Sequence, residues 1–230
     1  MNYLDLVRRV SAESGTLPDA MMPTTVAGIE GRPALIAGWV RQAWRDIQNR
    51  RSHWRWMQAE WQGTLSAGVQ KYTPAALGID RFGEWVHADE DCVPTTTLYR
   101  GAPSDEGRLR VLPWQSFYTR FLRGVAPQDR PGWYAQDGEG RLVVAPVPDD
   151  TYTIRGLYRK APQDLAADAD TPEMPERFHD LIVYRSLLML ATYDEAGNQV
   201  SMWDMRAREI MSDLERDQLP AVTVPLGAFA

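Results

Sequence analysis

The apolar residues of this chain repeat with two different periods, and the order of those periods constrains the fold more than any single motif. Near one end they recur at helical spacing: Tyr3, Leu6, Val7 and Val10, then Leu35, Ile36, Trp39, Val40, Ala43, Trp44 and Ile47. Arg41, Arg45, Asp46 and Gln48 fall opposite the second stripe, as on an amphipathic helix. Near the other end Phe178, Leu181, Ile182, Leu188 and Met189 form one stripe, and Val200, Trp203, Ala207, Ile210 and Leu214 another. Between the two sets the period falls to two. Residues 151–159 alternate strictly, so one face of a strand there is buried. Helices alternating with strands would build a parallel sheet, whereas strands grouped between helical ends imply an α+β fold.

Turn residues divide the pattern further. Helices are expected over residues 3–13, 33–51, 113–122, 175–195 and 199–217, with Pro33 in the first turn of the second. Strands are expected over 60–65 and 69–73, joined as a hairpin by Ser66, Ala67 and Gly68. Further strands are expected at 82–87, 95–100, 132–136, 141–145 and 151–159, with turns at Asp137-Gly138 and at 148–150. Segment 83–110 is polar and punctuated by Gly and Pro, so its strand assignment is weak. Ala196, Gly197 and Asn198 make a turn that folds the last two helices into an αα-hairpin.

With 230 residues, 44% of them hydrophobic, the chain can bury a sizeable core. Its net charge of −6 excludes a surface that binds phosphates as a whole. Cys92 is the single cysteine, so no intrachain disulfide or thiolate metal cluster can form, and it reads as a buried or partly buried thiol. The opening residues MNYLDLVRRVSAESG include Asp5 and lack the apolar run of a signal peptide. No stretch approaches the ~18 apolar residues of a membrane span. A chain made and kept in a cytoplasm-like environment is expected.

One stretch invites a chemical reading: residues 168–180, DADTPEMPERFHD, gather acids, two prolines and a histidine before an apolar helix. Helix initiation explains them. Pro172 or Pro175 suits a first helical position, and Glu173 and Glu176 favour the positive end of the dipole. His179 and Asp180 are expected on the polar side, and a metal would want a second ligand three or four residues on, where Ile182 and Val183 stand. His53 and His87 are isolated, and no nucleophile elbow, Walker loop or dinucleotide fingerprint occurs. Gly138-Glu139-Gly140 reads as a turn, and the pairs Asp149/Asp150 and Asp168/Asp170 as solvated loop residues. Arg41, Arg45, Arg50, Arg51 and Arg55 form a basic cluster that, on so acidic a chain, is expected to make salt bridges or a solvated helix face. No catalytic, cofactor or metal residue is assigned.

Two features point to binding instead. Nine Trp and nine Tyr stand beside five Phe, residues that concentrate at interfaces as well as in cores. Residues 219–230 carry no charge, and Val222, Val224 and Leu226 alternate with Thr223 and Pro225. An extended arm is expected there, with Val222, Val224, Pro225, Leu226 and Phe229 as its partner-binding residues, in the manner of strand addition.

The pattern PGWY at 131–134, LVVAPVPD at 142–149, YTIRGLYRKAP at 152–162 and DTPEMPERFH at 170–179 is familiar as a set. Upstream stand Trp54, Trp56 and Met57, then VQKYTP at 69–74. Together, over roughly residues 35–215, these resemble the head-to-tail adaptor proteins of tailed bacteriophages. The resemblance implies a helical bundle (1–57 and 163–218) bearing a β-rich insertion (58–162) and an extended C-terminal arm (219–230). It implies a virion protein of the head–tail junction, assembled in the host cytoplasm as a ring of roughly twelve copies joined through two different faces. The implied partners are the portal protein, the tail or nozzle proteins, and double-stranded DNA passing without sequence-specific binding. No cofactor, membrane or catalysis is implied. On this reading Arg45, Arg51, Trp54, Trp56, Trp61 and Trp133 are candidate subunit-interface residues, and the arm docks on the portal or the adjacent copy. Two rivals stay open: another virion ring protein, such as a stopper or tail-completion protein, and an enzyme with a scattered site.

Overall fold

The computed structural model describes residues 1–51, 53–89, 92–195 and 200–219. It is mixed α+β, with five α-helices and two sheets among the described residues. The chain divides into two compact units, one formed by residues 1–57 with 162–230 and the other by residues 58–161.

The first unit is helical. Helix α1 (Tyr3–Ser14) starts at Asn2, whose side chain accepts from the Asp5 amide while the Asp5 carboxylate accepts from the Asn2 amide. It stops at Gly15, whose φ of 62° is the left-handed conformation a glycine adopts without a Cβ penalty. Helix α2 (Gly31–Arg50) buries Ile36, Val40, Ala43, Trp44 and Ile47. The expected stripe is there, but Leu35 lies outside it, at 42% exposure. After a loop through Pro162, a 3-10 turn (Glu176–Phe178) leads into helix α4 (Asp180–Tyr193), and helix α5 (Val200–Gln218) follows.

Helix α4 buries residues on most of its circumference, among them Leu181, Ile182, Val183, Leu187 and Leu190. It can do so because α1, α2 and α5 all pack against it. Leu188, expected in the stripe, is only partly buried, and Leu187 takes the core position. The turn expected at Ala196–Asn198 lies outside the described residues.

The second unit is a three-layered β structure built around one long strand. Strands β1 (Gln58–Leu65) and β9 (Tyr152–Lys160) pair antiparallel over all eight residues of β1, from Gln58 opposite Arg159 to Leu65 opposite Tyr152. On its other edge β9 pairs with β3 (Phe82–Val86) along one half and with β4 (Thr97–Tyr99) along the other, and β5 (Gly107–Arg108) lies beyond β4. The second sheet runs β2 (Lys71–Tyr72), β8 (Leu142–Ala145), β7 (Trp133–Gln136), β6 (Arg110–Val111). Helix α3 (Trp114–Phe121) covers that sheet's other side.

The layers explain the sequence of β8. Leu142 and Val144 face a core shared with Trp61, Leu65, Leu98 and Ile154 of the first sheet. Val143 and Ala145 face Phe117 of α3. A strand covered on both faces is apolar throughout, and all four of its residues are buried. By contrast β9 buries Tyr152, Ile154 and Gly156 on alternate positions, as the period of two requires.

The hairpin expected between 60–65 and 69–73 does not form, because β1 and β2 belong to different sheets. The turn itself is present. The Val69 amide donates to the Ser66 carbonyl, and the Tyr72 hydroxyl accepts from the Ser66 amide at 2.9 Å and donates to the Val69 carbonyl. It carries the chain between layers instead of back along β1. The edge of β1 is taken by β9, which offers an eight-residue register where β2 offers two.

Candidate interaction surfaces

Residues with chemical capacity are dispersed or spent on structure. Among the described residues no three His, Cys, Asp or Glu side chains gather to hold a metal ion, and no helix is long and apolar enough to cross a membrane. His179 does not lie on a polar side as the sequence led one to expect. It is 1% exposed, and its Nε2 bonds the Met174 carbonyl at 3.0 Å. The reason is the 3-10 turn before α4, which turns position 179 inward. Burial is the main cause that pushes its pKa below the ordinary value of 6.5. His87 is half-buried, shares a hydrogen bond with the Tyr134 hydroxyl at 2.9 Å, and is likewise lowered by burial. His53 is exposed, just past the C-terminal end of α2.

Cys92 is exposed, not buried. Its φ of 61° places it in a turn, where its amide donates to the Asp89 carbonyl, so the side chain has no core to enter. The acidic pairs hold loops together. Asp168 accepts from the Val26 amide, Asp170 from the amides of Ala166 and Ala167, Asp149 from the Tyr152 hydroxyl, and Asp150 pairs with Arg100.

The basic cluster of α2 is salt-bridged within the chain. Arg41 and Arg45 share Asp164, and Arg50 and Arg51 share Glu215. The Arg41 guanidinium holds the Asp164 carboxyl below the usual carboxylate range. Arg55 reaches the Asp217 carbonyl. Arg45 and Arg51 are thus exposed but already partnered.

The four candidate tryptophans part company. Trp54 is 1% exposed, donates Nε1 to the Ile47 carbonyl and stacks on Trp56 at 4.5 Å, inside the helical core. Trp61 is 5% exposed and packs edge-on against Trp85. These two fill the chain's own cores and offer no surface, which corrects the expectation for them. The cause is local: Trp54 closes the end of α2, and Trp61 faces inward on β1 opposite Gly156, where a Cβ would lie 3.1 Å from its Nε1. Trp56 and Trp133 remain half-buried.

Around Trp133 the structure assembles a group that the sequence did not reveal. Strand β6 pairs with β7 so that Arg110 stands beside Trp133, with its guanidinium carbon 5.3 Å from the indole centroid. Arg120, from α3, reaches the same ring at 5.6 Å, and Phe121 tilts against it at 6.3 Å. Arg110, Arg120 and Trp133 are well separated in the chain, and only the packing of α3 on the second sheet unites them.

A cleft of about 720 Å³ on the first sheet is lined by Glu60, Gln62, Thr97, Glu106, Arg155 and Leu157, among others. Its central charges satisfy each other, Arg155 donating to Glu106 at 2.7 Å and Thr97 also donating to Glu106. It presents no nucleophile beside a base. The candidate arm residues Val222, Val224, Pro225, Leu226 and Phe229 lie outside the described residues. Leu219, placed by sequence in the arm, lies just past the end of α5, its amide donating to the Glu215 carbonyl at 3.0 Å.

No curated protein matches the chain. A family model described as SU10 adaptor protein matches residues 1–227. Since the match spans nearly the whole length, the chain belongs to the SU10 adaptor protein family, consistent with the head-to-tail adaptors of tailed bacteriophages.

Proposed function

We propose that this chain is a structural virion protein that closes into a ring, docks beneath the portal and joins the DNA-filled head to the tail. The observation that carries the reading is the family match over residues 1–227. Other features support it. Charged groups are engaged in cross-links within each unit, such as Arg9 with Asp180 and Arg130 with Asp105, which suits a part that must hold its shape. A ring forms from head-to-tail contacts between two unlike faces of each copy. The acidic balance of the chain suits a passage through which DNA slides without being held. Within this reading the uncharged residues Val222, Val224, Pro225, Leu226 and Phe229 act as an arm that docks on the portal or on the adjacent copy.

The test is assembly. Purified chain mixed with portal rings and weighed by native mass spectrometry should give a complex with a fixed number of copies. Particles made without the chain should package DNA and remain tailless. Tailed, infectious particles lacking the chain would overturn the reading. Deleting residues 220–230 should leave the melting temperature unchanged and abolish attachment to portal-bearing heads, and normal attachment would remove the arm from the proposal.

A further inference from the structure

One face of the helical unit is apolar and open among the described residues. Arg32, Leu35 and Trp39 follow one another at helical spacing along α2, so their side chains share a face. Tyr193, the last residue of α4, sets its ring against that of Trp39 at 5.5 Å. Leu35 is 42% exposed and Tyr193 62%, while Trp39 is half-buried. Arg32 lies over both rings, at 5.7 Å and 5.8 Å, and is paired with Asp194, so its charge is already answered. Gly38 is exposed next to Trp39, one turn from Leu35. A glycine in a helix interior weakens the helix relative to alanine. Yet a Cβ on Gly38 would meet nothing within 4 Å, and its φ is not in the left-handed region. Neither backbone conformation nor packing among the described residues asks for a glycine there. A bare backbone beside an exposed leucine lets another chain approach closely.

We infer that this face receives residues 220–230 of an adjacent copy in the ring. The inference rests on the reading of the chain as a ring-forming adaptor, and it gives the arm its receptor. Position is the first argument. Helix α5 ends at Gln218 beside the C-terminal end of α2, because Glu215 pairs with Arg50 and Arg51 and Arg55 reaches the Asp217 carbonyl. The apolar face lies toward the opposite end of α2, about 24 Å from Arg51 at the helical rise per residue. Residues 220–230 can span about 36 Å when extended, enough to leave one copy and lie across the face of the next. Within its own chain the arm would have to run back along α2 past Arg41 and Arg45, exposed and bridged to Asp164, where an uncharged segment gains little. Each copy thus offers an arm at one end of α2 and a receptor toward the other, the two unlike faces that a head-to-tail ring requires. Chemistry is the second argument. Residues 220–230 carry no charge, and an extended segment puts Val222, Val224 and Leu226 on one side. They match a face of leucine, bare backbone and aromatic rings whose one arginine is already paired.

The test places a photo-crosslinking amino acid, benzoylphenylalanine, at position 226 of isotopically light copies, which assemble into particles together with heavy copies that lack the probe. Irradiation should give light–heavy products, joined at residues 31–42 or beside Tyr193 of the heavy copy. Gly38→Leu in the heavy copies fills the bare stretch. Because a side chain there meets open space, the unassembled variant should melt at the same temperature or higher. In particles that contain both kinds of copy, light–heavy products should then fall at least tenfold while light–light products persist. Crosslinks to the portal, crosslinks within single copies only, no crosslink in particles that contain the chain, a yield indifferent to Gly38→Leu, or a lowered melting temperature in that variant would each overturn the inference. Tailed, infectious particles that lack the chain would instead overturn the adaptor reading itself.

Discussion

The two units distribute their cores differently. The helical unit has a single core, in which Trp44, Trp54 and Trp203 are buried with Leu181, Leu187 and Leu214, while Tyr193 stays exposed against Trp39 beneath Arg32. The β unit splits its apolar residues between two smaller cores, one between the sheets and one under α3, and it leaves Trp133 and Phe121 half-buried beside Arg110 and Arg120. The difference teaches how layer thickness sets burial: a single deep core surrounds Leu187 on all sides, whereas a thin layer under α3 covers Trp133 from one side only.

The comparison can be broken first at the helical core. Leu187 is fully buried on α4, the helix that touches α1, α2 and α5. Leu187→Ala should cost about 2–5 kcal/mol and lower the melting temperature sharply. Leu188→Ala, at a partly buried site, should cost clearly less; equal losses in calorimetry would mean that the core is not organised around Leu187. A smaller effect is expected in the β unit at Gly83, where β3 shifts register against β9. A Cβ there would lie 2.9 Å from the Arg159 carbonyl oxygen and 3.1 Å from the Ala161 nitrogen, both backbone atoms. Gly83→Ala should cost about 1–3 kcal/mol and expose residues 58–161 to limited proteolysis before the helical unit. Cleavage appearing first in the helices would contradict the division.

The smallest expected effect is that of pH, which touches both units through one buried or half-buried histidine each. Folding lowers the pKa of His179 and of His87 below 6.5, with burial the main cause in both. The unfolded chain therefore takes up protons near pH 6.5 that the folded chain refuses. Stability is full above that pH and falls as pH drops through it toward the folded pKa values. His179 faces the Met1 amine and Glu176, and His87 faces Glu84. Melting temperature followed from pH 7.5 to pH 5.5 should decline, and His179→Asn should flatten part of that decline. An unchanged slope in the variant would assign the effect to His87 and the β unit.

The helices were legible because their signal is local. The stripes on α1, α2 and α5, Pro33 in a first turn and the left-handed Gly15 all lie within one or two turns of the residues they organise. The alternation of β9 was legible for the same reason. The partners of the strands were not. Ser66–Gly68 has the composition of a hairpin turn and forms a turn, but which sheet the next strand joins depends on β8, some seventy residues later.

The sequence by itself determined the α+β class, the positions of the main helices and the long strand, and the absence of a recognisable catalytic motif. These follow from periodicity and residue type, which short-range sterics and burial impose directly. Only the tertiary structure decided which tryptophans are core and which are surface. Trp54 and Trp133 carry the same side chain, and what separates them is the neighbour that packs over each: α2's last turn covers Trp54, while over Trp133 stand two arginines and a helix that leaves it half open. Burial belongs to the assembled layers and not to the residue, so the surroundings of Trp133 became visible only once α3 lay on the second sheet.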